Sequence, residues 1–87
     1  MKNTRILITG RVQGVLFRVS ARRKAEELGI RGTVTNLDTG QVEIICHGER
    51  LEEFITWCRR GPLLARVDDM ETEEIVGRRF DSFEILR

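Results

Sequence analysis

Apolar positions along the chain fall into short blocks whose period changes from one block to the next. Arg5-Ile6-Leu7-Ile8-Thr9 is a brief apolar run ended by Gly10, the pattern of a buried strand. Phe17, Ala21, Ala25 and Leu28 then recur at spacings of four, four and three, which traces one face of a helix. Arg22, Arg23, Lys24, Glu26 and Glu27 fill the remaining positions as a solvated face, and Gly29 stands where a helix C-terminus favours a left-handed residue. Thr33, Val34 and Thr35 mark a second strand over 31–35, and Asn36-Leu37-Asp38-Thr39-Gly40 is turn chemistry. Val42, Ile44 and Cys46 share one face of a third strand, with Glu43 and Ile45 on the other, so the two strands form a hairpin closed by Gly48. Leu51, Phe54, Ile55 and Cys58 form the apolar stripe of a second helix, with Trp57 at its boundary as a packing residue. Glu49, Glu52 and Glu53 suit its first turn, Arg59 and Arg60 its last, and Gly61-Pro62 stops it. After a connector over 63–66, the acidic stretch 67–76 reads as a strand with a solvated face at a sheet edge, and Phe83 and Ile85 mark a short closing strand.

The order is βαββαβ with a small closing strand. It predicts an α+β fold, the ferredoxin-like α/β sandwich, in which two helices cover one face of an antiparallel sheet. The 87 residues make one domain over 1–87. A chain this short buries roughly 60–65% of its unfolded surface, a small but viable core. With 40% hydrophobic and 33% charged residues the balance is that of a soluble globular protein. No apolar run approaches the ~20 residues that span a bilayer, so no membrane partner is expected. Met1-Lys2-Asn3-Thr4-Arg5 lacks the apolar segment of a signal peptide, so a cytoplasmic location is the expectation. A monomer is expected as well, although the sequence does not itself give the oligomeric state.

A net charge of +1 argues against a generic nucleic-acid binder. RNA-recognition domains share this element order but stack bases on aromatic residues of their central strands. Here 31–35 and 41–46 contain no aromatic residue, so no nucleic-acid partner is expected. Cys46, Cys58 and the single histidine, His47, have no metal-ligand spacing, so no metal is expected. Six residues beyond the cysteines stand Glu52 and Leu64, where a cysteine-based phosphatase loop needs arginine. Both cysteines read as small core residues, expected reduced in a cytoplasmic protein, with a Cys46–Cys58 bridge left open by the sequence.

The stretch that carries chemistry is Gly10-Arg11-Val12-Gln13-Gly14-Val15-Leu16-Phe17-Arg18, between the first strand and the first helix. The first N–H groups of a helix lack internal partners and carry partial positive charge. If residues 13–17 curl there, the backbone amides of Gln13, Gly14, Val15, Leu16 and Phe17 converge on a phosphate-sized anion. Gly14 allows the tight turn. Arg18 points about 100° from Phe17 on the helix, out of the core, and its planar guanidinium can bind phosphate bidentately. Arg11 reads as a surface strand-end residue. The motif holds no His or Cys nucleophile and no carboxylate pair, which disfavours covalent phosphoryl transfer and general-acid help to a poor leaving group. It suits a phosphate whose leaving group needs no proton, such as the carboxylate of an acyl phosphate, attacked in line by water. Asn36 has an amide oxygen that can accept a hydrogen bond from that water. From the residues alone, a bland structural turn at the loop and a simple turn role for Asn36 stay open, as does an anion sensor without turnover.

Ile8-Thr9-Gly10-Arg11-Val12-Gln13-Gly14-Val15-Leu16-Phe17-Arg18 resembles the acylphosphatase family's Gly-x-Val-Gln-Gly-Val-x-Phe-Arg motif without a break. Gly32 to Glu43, closing at Gly48, is similar to its second motif: Asn, three residues, Gly, one residue, Val, five residues, Gly. Gly61-Pro62 followed by Ala65 and Val67 also resembles the family's post-helix segment. The resemblance covers nearly the whole chain. It implies the ferredoxin-like fold and hydrolysis of acyl phosphates to a carboxylate and inorganic phosphate without metal or cofactor. Arg18 would hold the phosphoryl group with the loop amides, and Asn36 would orient the attacking water. The chain departs from the family at Thr33, where an aromatic residue is usual.

Overall fold

The protein is described as a computed structural model covering residues 1–86. Its elements run β1 (Lys2–Arg11), α1 (Phe17–Leu28), β2 (Arg31–Asn36), β3 (Val42–His47), α2 (Leu51–Arg60), β4 (Arg66–Val76) and β5 (Phe83–Leu86). The five strands form one sheet in the order β4-β1-β3-β2-β5, so the acidic strand does lie at an edge. Its half-exposed and exposed pattern is that of a strand covered on one side only. Among the described residues no helix is long and apolar enough to cross a membrane.

Both helical stripes are buried as their spacing requires: Phe17, Ala21, Ala25 and Leu28 on α1, and Phe54, Ile55 and Cys58 on α2. They close over Ile6, Ile8, Val34, Val42, Ile44 and Cys46 of the three inner strands in one continuous core. Phe54 meets Phe83 edge-on at 5.9 Å and stacks on Trp57 at 6.2 Å, and Trp57 reaches Phe17 at 5.6 Å. Half-buried Trp57 is thus the boundary residue that its position off the stripe predicts, and it ties α2 to the start of α1. Each fully buried phenylalanine contributes about 1.5–3 kcal/mol over an exposed one. On the opposite sheet face Arg5 bridges three strands, donating to Glu43 at 2.6 Å and Glu73 at 3.2 Å. The pairs are partly exposed, so each contributes about 1 kcal/mol or less.

The ferredoxin-like α+β fold is as expected, with β1 to β4 pairing antiparallel, and the expectation of an antiparallel sheet is corrected only at the closing strand. The sheet is mixed, because β5 pairs with β2 in parallel, Gly32 beside Phe83 through Thr35 beside Leu86. The cause lies in where the chain emerges. β4 ends beside Lys2, at the same end of the sheet where β2 begins. Residues 77–82 then cross that end: the Asn3 side chain donates to Arg78 O at 3.0 Å, the Phe80 N–H donates to His47 Nε2 at 3.1 Å, and the Gly32 N–H donates to Ser82 O at 2.9 Å. Phe80 is buried in this crossing, stacked on the His47 ring and covered by the Arg78 guanidinium at 4.3 Å. A strand that starts from the end where β2 starts must run alongside it in the same direction. The consequence is functional, because β5 carries Leu86 to the end of the sheet where Asn36 stands.

Candidate functional site

Residues 12–16 make the turn from β1 into α1. Gly14 (φ 74°) and Leu16 (φ 64°) are both left-handed, and Leu16 is the N-cap of α1. Left-handed residues within a turn gather successive backbone N–H groups into an anion-binding concavity. A leucine in this conformation costs about 1–2 kcal/mol and persists only where its surroundings impose it. The first intrahelical bond runs from Ser20 N to Leu16 O at 3.1 Å, so the N–H groups before it in the first turn have no intrahelical acceptor. No side chain caps α1 and no acid stands in its first turn, whereas α2 has Glu52 and Glu53 there. The positive end of α1 is therefore left uncompensated by the protein, the arrangement that favours an anion.

Arg18 and Asn36 share a cavity of about 230 Å³ that is also lined by Gly14, Leu16, Phe17 and Val19. Half-buried Arg18 donates from Nη1 to Leu86 O at 3.1 Å, so one donor of its fork is tied to the last residue of β5. Asn36 ends β2 opposite Val42, and its side-chain Oδ1 is buried and accepts no hydrogen bond from any described residue. Buried carbonyl oxygens without a partner are uncommon, and Asn3 Oδ1 at the opposite end of the sheet is in the same state, so it is the placement of Asn36 beside Arg18 that marks it. Gln13 and Val15 do not line the cavity with their side chains. Val15 is an anchor in the core, and the Gln13 carboxamide turns toward the 37–41 turn. Leu16 (70% exposed) and Val19 (51% exposed) form an apolar rim at the mouth.

A wider groove of about 610 Å³ lies along Lys24, Glu52, Glu53, Thr56, Trp57 and Arg60. Its two carboxylates offset Lys24 and Arg60, whereas the smaller cavity is lined by Arg18 and by no acid, so the smaller cavity is the chemical match for an anion. Among the described residues no three His, Cys, Asp or Glu side chains stand together in a metal-holding group. Arg11, Arg22 and Arg23 are exposed, as expected of surface residues. Sequence reasoning missed the Leu86 carbonyl, which depends on the parallel register of β5, and the reach of the Gln13 side chain to the 37–41 turn. The signal for Gln13 lay in the motif itself, where only its backbone was considered.

Cys46 and Cys58 are free thiols with no exposed surface. Burial pushes Cys46 up to about 12 and pushes Cys58 up as well, with the neighbouring Cys46 adding to the effect. Neither is a thiolate near neutrality, which removes them as nucleophiles. Native protein at pH 8 is expected to resist a chromogenic aryl disulfide, and denatured protein to release two equivalents of chromophore. Fast reaction of the native form would show that this core opens readily.

With the geometry in view, comparison with known proteins is specific. The family model described as acylphosphatase matches residues 4–85. An acylphosphatase of Methylococcus capsulatus is 48% identical over 90 residues, covering 100% of this chain and 98% of that protein. The crystal structure of acylphosphatase from Bacillus subtilis superposes with a TM-score of 0.92 at 32% identity, covering 100% of both chains. The structure of an acylphosphatase from Coxiella burnetii gives 0.91 at 40% identity, covering 97% of this chain and 90% of that one. Since the match takes in both motifs, every strand of the sheet and the turn at the head of α1, the chain belongs to the acylphosphatase family.

Proposed function

We propose that this protein hydrolyses acyl phosphates to a carboxylate and inorganic phosphate, with Arg18 and the amides of residues 13–17 holding the phosphoryl group and Asn36 orienting the attacking water. Family membership supports the reaction class. The observation that supports the roles is one cavity, at an uncapped helix N-terminus, lined by both Arg18 and Asn36. The phosphoryl oxygens lie against the N–H groups and Arg18, whose positive charge grows in value as charge spreads over those oxygens in the transition state. Asn36 Oδ1 accepts a hydrogen bond from a water and aligns its oxygen with phosphorus, opposite the acyl oxygen. A new P–O bond forms as the bond to the acyl oxygen breaks. The carboxylate departs as an anion, and the proton lost by the water ends on the phosphate product or in solvent. No general acid is needed, because the leaving carboxylate is already a weak base. The acyl group extends past Leu16 and Val19, whose exposed apolar surface suits an aryl or alkyl chain.

Phosphate release from benzoyl phosphate, with a chelator present, is the direct test. Steady release at a rate proportional to protein concentration is expected. Folded protein that releases none above the spontaneous rate would make the cavity a binding or sensing site.

A further inference from the structure

The phosphate loop and the strand that ends in Asn36 belong to different elements, and one side chain joins them. Gln13 Nε2 donates to Leu37 O at 2.8 Å and to Gln41 O at 2.9 Å. These carbonyls belong to the residues that bracket the turn after Asn36. The turn has its own bonds, Leu37 N to Gln41 O at 2.8 Å and Gly40 N to Leu37 O at 3.0 Å. Both carbonyls therefore keep a partner without Gln13, and the turn can form without it. What the carboxamide adds is a two-pronged tether between the anion cradle and the residue next to Asn36. Gln41 extends the same connection, donating from Nε2 to Thr9 Oγ1 at 2.9 Å on β1 and accepting from Thr39 Oγ1 at 2.8 Å.

From this geometry we infer that the Gln13 side chain is a positioning group that sets the distance between the bound phosphoryl group and the water held by Asn36. The inference rests on the water-orienting reading of Asn36. The side chain touches neither the cavity nor the phosphate, so its loss leaves phosphate affinity in place and loosens the line of attack. Misplacement of a reacting group by about 1 Å costs on the order of 10² in rate. The tether acts through Asn36, so its effect must disappear once Asn36 is gone.

The experiment is a double-mutant cycle on benzoyl phosphate hydrolysis with Gln13→Ala, Asn36→Ala and the double variant, each with an inhibition constant for inorganic phosphate. Gln13→Met, of similar length but unable to donate, serves in place of Gln13→Ala if the latter melts below the assay temperature. Expected for Gln13→Ala or Gln13→Met is a fall in kcat of about 10- to 100-fold, with inhibition by phosphate changed less than about twofold. In the Asn36→Ala background the same substitution changes kcat less than about twofold. The inference is overturned if kcat of the single variant stays at the wild-type value. It is equally overturned if phosphate affinity falls in step with kcat, or if the two losses multiply in the double variant. Wild-type turnover by Asn36→Ala would remove the role of Asn36 itself and the tether with it. Absence of turnover in the wild type would instead sink the hydrolase reading, so the failures are told apart.

Discussion

Replacing Arg18 by alanine is expected to lower kcat for benzoyl phosphate by about 10²- to 10³-fold, the usual cost of removing one donor aimed at transition-state charge. The fold should survive. Arg18 is half-buried, its hydrogen bond among the described residues goes to the Leu86 carbonyl, and its neighbour Phe17 holds the core side of the helix. Near-wild-type thermal unfolding alongside the lost turnover would place the effect in the site. Arg18→Lys keeps the charge and loses the planar fork, so it should recover only part of the rate. The Leu86 contact sharpens the expectation, because a guanidinium held by a carbonyl enters the reaction with less rotamer freedom to lose. Wild-type-like turnover by a folded Arg18→Ala protein would remove Arg18 from the mechanism. Asn36→Ala is expected to cost on the order of 10² by the same logic, because it deletes the acceptor for the water.

The parts of this molecule that were legible in the sequence are those written locally. Phe17, Ala21, Ala25 and Leu28 had to share a face because a helix repeats every 3.6 residues, and all four are buried. Val42, Ile44 and Cys46 alternate and are buried for the matching reason in a strand. Strand extents were less legible. β1 includes Lys2, Asn3 and Thr4 before the apolar run and Arg11 after it, because pairing with β4 needs only backbone groups. The direction of β5 was not legible at all. It follows from the point where the chain leaves β4 and from the six-residue crossing that packs Phe80 against His47 at the end of the sheet, and neither is a property of 83–86. The site divides in the same way. Arg18 and Asn36 could be named from two motifs, and the fold brings them to one cavity. The Leu86 carbonyl and the reach of Gln13 across to 37 and 41 depend on tertiary distance, which spacing does not encode.

Gly10→Ala should be the most damaging small substitution in the loop, and Gly14→Ala, four residues on, should not. Gly10 has φ 138° and sits where the β1–β4 register shifts, Thr9 opposite Asp69 and Gly10 opposite Val67. A Cβ there would stand 2.2 Å from Arg66 O and 2.8 Å from Asp68 N. Both are backbone atoms, so no side-chain rotation relieves the contact and the two strands must part at the end that feeds the loop. Overpacking and a strained dihedral together are expected to cost about 3 kcal/mol. For a domain of this size the melting temperature would fall by roughly 15 °C. At Gly14 a Cβ meets no atom within 4 Å, so the left-handed dihedral of 74° is the whole conformational cost, about 1–2 kcal/mol. Because Gly14 lines the cavity, an added methyl group there is expected to obstruct the close approach of a phosphate. Thermal unfolding and phosphate inhibition, measured on both variants, should therefore separate: Gly10→Ala loses stability first, and Gly14→Ala stays folded and loses phosphate affinity. Equal melting temperatures for the two would show that the bulge at Gly10 yields, and that the close strand approach does not hold the loop in shape.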